Sequence, residues 1–240
     1  MPCRLCLKDE KLCRSHIFPE FMYKPVYDQS RKICSFWTED ARTVPLQKGL
    51  REHLLCSPCE TRLSALEKYA KSVLASPTPA GAEVGGAFTY SDVDYRRFKL
   101  FQMSLIWRAG VSTLPSFAEV RLGSHEKRLR QYILSEDPRA AHEYGCAMFA
   151  LLRNSNMPES LIVAPKSFRV QSITCYMFVA MGFFWWYPMR MKNIPAELTD
   201  LFLKENGTMI VPIRDYTDVP STVRAVHDLA VALRREHGTT

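Results

Sequence analysis

Cys3-Arg4-Leu5-Cys6 and Cys56-Ser57-Pro58-Cys59-Glu60 form two Cys-x-x-Cys knuckles with 49 residues between them. A knuckle presents two thiolates from one tight turn, and Zn2+ takes four soft ligands at tetrahedral corners. The pair therefore predicts one structural zinc held by Cys3, Cys6, Cys56 and Cys59. The competing reading is four unrelated thiols, which matched knuckles in a chain without a visible secretion signal argue against. Cys13, Cys34, Cys146 and Cys175 lack partners at this spacing and read as small buried apolar residues. Cys13 is close enough in sequence to stand in as a ligand.

The second knuckle leads straight into an amphipathic helix. Leu63, Leu66, Ala70, Val73 and Leu74 make its apolar stripe, with Ser57 suited to the N-cap and Pro58 to the first turn. Ser76-Pro77-Thr78-Pro79, Gly81 and Gly85-Gly86 break regular structure, so residues 76–90 read as a linker or long loop. That break separates a module, 1–75, from a larger part, 91–240. The larger part opens with an expected helix from Asp94 to Ala109. A shorter one starts at Ser124, read as its N-cap, with Leu129, Tyr132 and Ile133 inward. Beyond Pro158 come β-like runs at Leu161–Ala164, Phe168–Val170, Ile173–Met181, Phe183–Tyr187 and Thr208–Ile213. Ser221 begins a last amphipathic helix with Val223, Val226, Leu229, Ala230 and Leu233 on its stripe. The fold class is α+β: a small zinc module, then helices, an antiparallel or mixed sheet and a C-terminal helix.

Apolar residues make up 47% and charged residues 24% of the 240, the balance of a folded globular chain rather than a disordered one. The net charge of +7 favours an anionic partner. Residues 1–75 carry 13 Lys/Arg against 9 Asp/Glu, and four thiolates on one Zn2+ would reduce that excess to about +2. Charge by itself is therefore a weak pointer. No apolar leader follows Met1, and the most apolar run, Ile173 to Tyr187, is shorter than the ~20 residues of a membrane-spanning helix. A cytoplasmic protein with no membrane partner is expected.

Between the knuckles lies Ser15-His16-Ile17-Phe18-Pro19. A knuckle, a strand ending in His-Ile-Phe-Pro, a second knuckle and a helix describe a treble-clef or ββα-metal arrangement. Over about residues 1–70 the chain resembles the HNH endonuclease family, whose four-cysteine members read Cys-x-x-Cys, Asp-His-Ile-x-Pro, a central Asn or His, and Cys-x-x-Cys-His/Asn. Tyr95–Trp107 also looks like a region that accompanies such N-termini in bacterial proteins.

The resemblance implies a nuclease acting on nucleic acid, DNA rather than RNA, in bacterial defence. His16 would be the general base activating water, zinc would be structural, and Mg2+ or Mn2+ would stabilise the phosphorane. The sequence departs from the pattern in three places. Ser15 replaces the metal-binding Asp, and Glu60 replaces the last His or Asn. No Asn lies between the knuckles, where His53 and Gln47 are the stand-ins.

Each candidate has a plainer rival. Glu60 could close a capping box with Ser57. His16 could be a structural histidine, or a zinc ligand with Cys13 in place of Cys3. His53 could be merely solvated. Arg62, Lys127, Arg128 and Arg130 could track a phosphate backbone or form a solvated helix face. Phe183-Phe184-Trp185-Trp186-Tyr187 could stack bases, but contiguous aromatics in a strand more often form core or a partner interface. The alternatives to hydrolysis are a decayed zinc module that binds nucleic acid or a protein partner without turnover, or a zinc staple on a functional body. A homo-oligomer is compatible with each.

Overall fold

The computed structural model describes residues 1–26, 32–36, 43–47, 49–75, 81–152, 162–170, 173–189, 196–215 and 217. The expected helix from Ser221 lies outside them. A two-stranded antiparallel hairpin of β1 (Leu12–His16) and, much later in the chain, Arg51–Cys56 builds the N-terminal module. Between these strands come a short α1 (Glu20–Tyr23) and a separate hairpin of β2 (Lys32–Phe36) and β3 (Thr43–Gln47). Arg51–Cys56 is therefore β4, and it runs without a loop into α2 (Ser57–Leu74).

Cys56, not Ser57, occupies the N-cap of α2, because the residue closing β4 keeps an extended backbone (φ −76°, ψ 163°). Ser57 becomes the first helical residue, and no side-chain cap forms. The capping box is thus absent. The end of the expected loop is also ordered: Ala87–Tyr90 forms β5, paired antiparallel with a late strand.

α3 (Tyr95–Val111) starts as read, with the Asp94 carboxylate accepting the Arg97 N–H at 2.9 Å. α4 (Ser124–Ser135) follows, its N-cap being Gly123 rather than Ser124. The remaining elements are β6 (Ala147–Leu152), β7 (Val163–Val170), β8 (Ile173–Ala180), β9 (Phe183–Pro188), the short α5 (Ala196–Thr199) and β10 (Met209–Asp215). They form a six-stranded sheet in the order β5-β10-β6-β9-β8-β7, antiparallel except for the β10–β6 pair. The mixed α+β class is as expected. β6 was not anticipated, and the two runs expected at 161–164 and 168–170 are one irregular strand over their described residues. Among the described residues no helix is long and apolar enough to cross a membrane.

The module and the sheet share one core. Phe18, carried in by Ile17-Phe18-Pro19, lies 4.5 Å from Phe178 of β8 and 5.5 Å from Phe117, centroid to centroid. Phe178 stacks on Trp185 and Tyr187 of β9, and Phe101 of α3 meets Trp185 edge-on. Strand alternation turns Phe184 and Trp186 to the other face, against Phe149 and Phe202. The aromatic run is core on both faces, as its plainer reading expected.

α3 is buried along nearly its whole length and brings three long polar side chains inside. Lys99 donates to the Ala141 carbonyl at 3.0 Å. Arg108, 2% exposed, donates to the His16 carbonyl at 3.1 Å and to Glu67 at 2.7 Å, tying α3 to β1 and α2 at once. The amide of Gln102, fully buried, has no partner among the described residues.

Candidate metal centre

Cys3, Cys6, Cys56 and Cys59 bring their Sγ atoms within 4.8 Å of one another. In a regular tetrahedron with Zn–S of about 2.3 Å, sulfurs sit about 3.8 Å apart. The Cys6–Cys56 separation is 3.7 Å. Donor type, number and spacing all fit zinc.

Local sequence explains why the thiols face inward. The first knuckle closes on itself through Cys3 N–H to the Lys8 carbonyl (2.9 Å) and Leu7 N–H to the Cys3 carbonyl (2.9 Å). Arg4 N–H then reaches the Leu54 carbonyl of β4 at 3.0 Å, and Cys56 N–H donates to the Cys3 sulfur at 3.4 Å. From the body, Arg130 donates to the Leu5 carbonyl at 3.1 Å and so pins the knuckle to α4.

Burial opposes ionisation at Cys3, but N–H donors from Cys6, Cys56 and Leu5 prevail and bring its thiol down to about 7. Burial pushes Cys56 up to about 11. Burial, then the neighbouring thiols, pushes Cys59 well above its ordinary value. Four crowded sulfurs of this kind cannot all be anionic alone, and a bound divalent cation would supply the missing charge.

The other site residues named from the sequence sit around this frame with partners of their own. Ser15 is 1% exposed, and its hydroxyl oxygen accepts the Leu55 N–H at 3.1 Å. His16 lies opposite Arg51 in the β1–β4 register, and its Nε2 accepts from Arg51 Nε at 2.9 Å. Glu60 has a buried Oε1 with no hydrogen-bond partner among the described residues. The carboxylate that shares a guanidinium with the His16 carbonyl is Glu67, about two helical turns further along α2. Among the described residues the cysteine quartet is the only cluster of three or more metal-ligating groups, so His16 and Glu60 belong to none.

His53 is exposed, with Nδ1 3.3 Å from the Leu12 carbonyl. Gln47 lies on β3, and its side chain and that of Cys34 fall outside the described residues. Cys13 is half-buried and apart from the quartet, while Cys146 and Cys175 are buried as read.

The basic residues named from the sequence have different surroundings. Arg62 donates to the Leu134 carbonyl at 2.5 Å and pairs with Glu136 at 3.5 Å. Arg130 holds the knuckle, and Lys127 and Arg128 are exposed. Sequence reading missed Arg51 and Arg108, whose roles depend on strand register and helix placement that no local pattern carries. It also missed Glu52 of β4, which accepts from Ser112 and Thr113 and latches the end of α3. No protein-family model, no curated protein and no solved structure matches the chain.

Proposed function

We propose that the protein binds nucleic acid, DNA before RNA, through a zinc-stapled HNH-like module and does not hydrolyse it. The observation that carries this reading is the state of Ser15. At the position where the family has a metal-binding Asp, this chain has a neutral hydroxyl, buried and already engaged by Leu55 N–H. No anionic oxygen remains there for a hard cation. The Arg51 guanidinium on His16 adds a positive charge where a second metal would approach. Binding is supported by the +7 charge and by Lys8, Lys11 and Arg14, exposed along the first knuckle and β1.

Hydrolysis has one observation in its favour: the buried Glu60 Oε1, without a partner among the described residues, is the kind of oxygen a cation would satisfy. Incubating the zinc-loaded protein with supercoiled plasmid in Mg2+ or Mn2+ separates the readings. The expected result is a salt-sensitive mobility shift with no nicking. Metal-dependent nicking that disappears in His16→Ala, with zinc content unchanged, overturns it and restores the nuclease.

A further inference from the structure

We infer that a basic cleft between the α4 entry loop and the β7–β8 hairpin is an oxyanion site for a phosphate ester, separate from the zinc module. The cleft, about 330 Å3, is lined by Arg121, Gly123, Ser124 and His125 on one side and by Arg169, Thr174 and Tyr176 on the other. Two arginines and a histidine line one cavity, and no carboxylate is among the described residues that line it. Arg121 and Arg169 are both exposed, and neither has an ion-pair partner among the described residues. An anion seated in the cleft would meet two guanidinium groups that no neighbouring carboxylate already engages.

The cleft is built by buried contacts, which hold its wall in place. The Tyr176 hydroxyl, on a side chain 2% exposed, donates to the Arg121 carbonyl at 2.7 Å. Leu122, 4% exposed, anchors the same loop against Gly110 of α3. Gly123 then turns with φ +56° into α4, a conformation that disfavours a side chain, and its face is open space. Opposite, Arg169 faces Thr174 across the β7–β8 ladder, and Met189 N–H ties to the Thr174 carbonyl at 3.0 Å.

His125 stands on the same wall, with its Nδ1 3.0 Å from the Tyr144 hydroxyl oxygen and its ring edge-on to the Tyr144 ring. The adjacent end of α4 contributes only its dipole, which has the sign that favours an anion. Arginine forks and a hydroxyl around a cavity of this size suit phosphate oxygens better than a lone carboxylate. The phosphate could belong to a free ester or to a nucleic-acid backbone.

Titration of the full-length, zinc-loaded protein with inorganic phosphate, against chloride at equal ionic strength, tests the site by calorimetry and thermal shift. Wild type is expected to bind and gain thermal stability. Arg121→Gln and Arg169→Gln are each expected to weaken binding about tenfold, and the double variant to abolish it. Lys71→Ala, which removes an exposed charge of α2 far along the chain from the cleft, is expected to leave it unchanged. Absence of phosphate binding by wild type, or equal binding by a folded double variant, overturns the assignment.

A labelled oligonucleotide identifies the source. Binding lost in the same variants supports the site as a contact to the nucleic-acid backbone. Binding that survives them, while phosphate binding is lost, supports it as a site for a free ester. Phosphate binding by a wild type that binds no oligonucleotide supports the site and sinks the nucleic-acid reading alone.

Discussion

At Lys99, an ammonium group sits on the buried side of α3, 1% exposed, with the Ala141 carbonyl as its hydrogen-bond acceptor. Burial drives its pKa down to about 7, and the opposing pull of Cys146, Glu143 and Glu205 is too weak to restore it. In the unfolded chain the same group titrates near about 10.4. Between those two values the unfolded state holds a proton that the native state lacks, so stability rises with pH across the window. Below about 7 both states are protonated and the full cost of burying the charge is present. Urea unfolding from pH 7 to pH 10 is therefore expected to show wild type gaining a few kcal/mol on Lys99→Met, at about 1.4 kcal/mol per pH unit. Parallel profiles would contradict this. The cysteines show how far single residues can be read: Cys-x-x-Cys spacing is local, so the quartet was legible before any fold. The partners of Ser15 and His16 were not, because Leu55 and Arg51 reach them only through the β1–β4 register.

Among the elements, α2 and α3 were legible from apolar periodicity, and β8 and β9 from their β-branched and aromatic content. β6 was not. Ala147-Met148-Phe149-Ala150-Leu151-Leu152 contains no β-branched residue and is buried on both faces, so neither composition nor alternation distinguishes it from a helix. Its pairing with β10 is parallel and joins distant parts of the chain, a fact that resides in tertiary contact. The helix ends moved for similar reasons: Cys56 and Gly123 hold the N-cap positions because β4 and the α4 entry loop dictate their backbones. The α3–loop contact offers a direct test. A Cβ at Gly110 would overlap Leu122, which is itself buried. Gly110→Ala gains up to about 1 kcal/mol in helix propensity but overpacks the contact by about 1–3 kcal/mol, so a net fall in Tm is expected. An unchanged or raised Tm would show that Leu122 can move freely.

For the whole molecule, the consequence of the shared core is that the four-cysteine site is not a local ornament. Phe18 follows β1 directly and packs between Phe117 and Phe178, while Arg108 ties the body to both β1 and α2. Stripping the metal with a chelator is expected to lower Tm by at least roughly 10 °C, at about 2–4 °C per kcal/mol for a chain of this size. The loss should appear in a single transition that includes the sheet. A sheet transition at unchanged temperature would mean that the module and the body melt independently. The most direct test of the account is X-ray absorption at the zinc edge on the purified protein, combined with metal content. One zinc per chain with four sulfurs at about 2.3 Å is the predicted result. Less than stoichiometric zinc, or a shell containing a histidine nitrogen, would contradict the four-cysteine centre on which the rest is built.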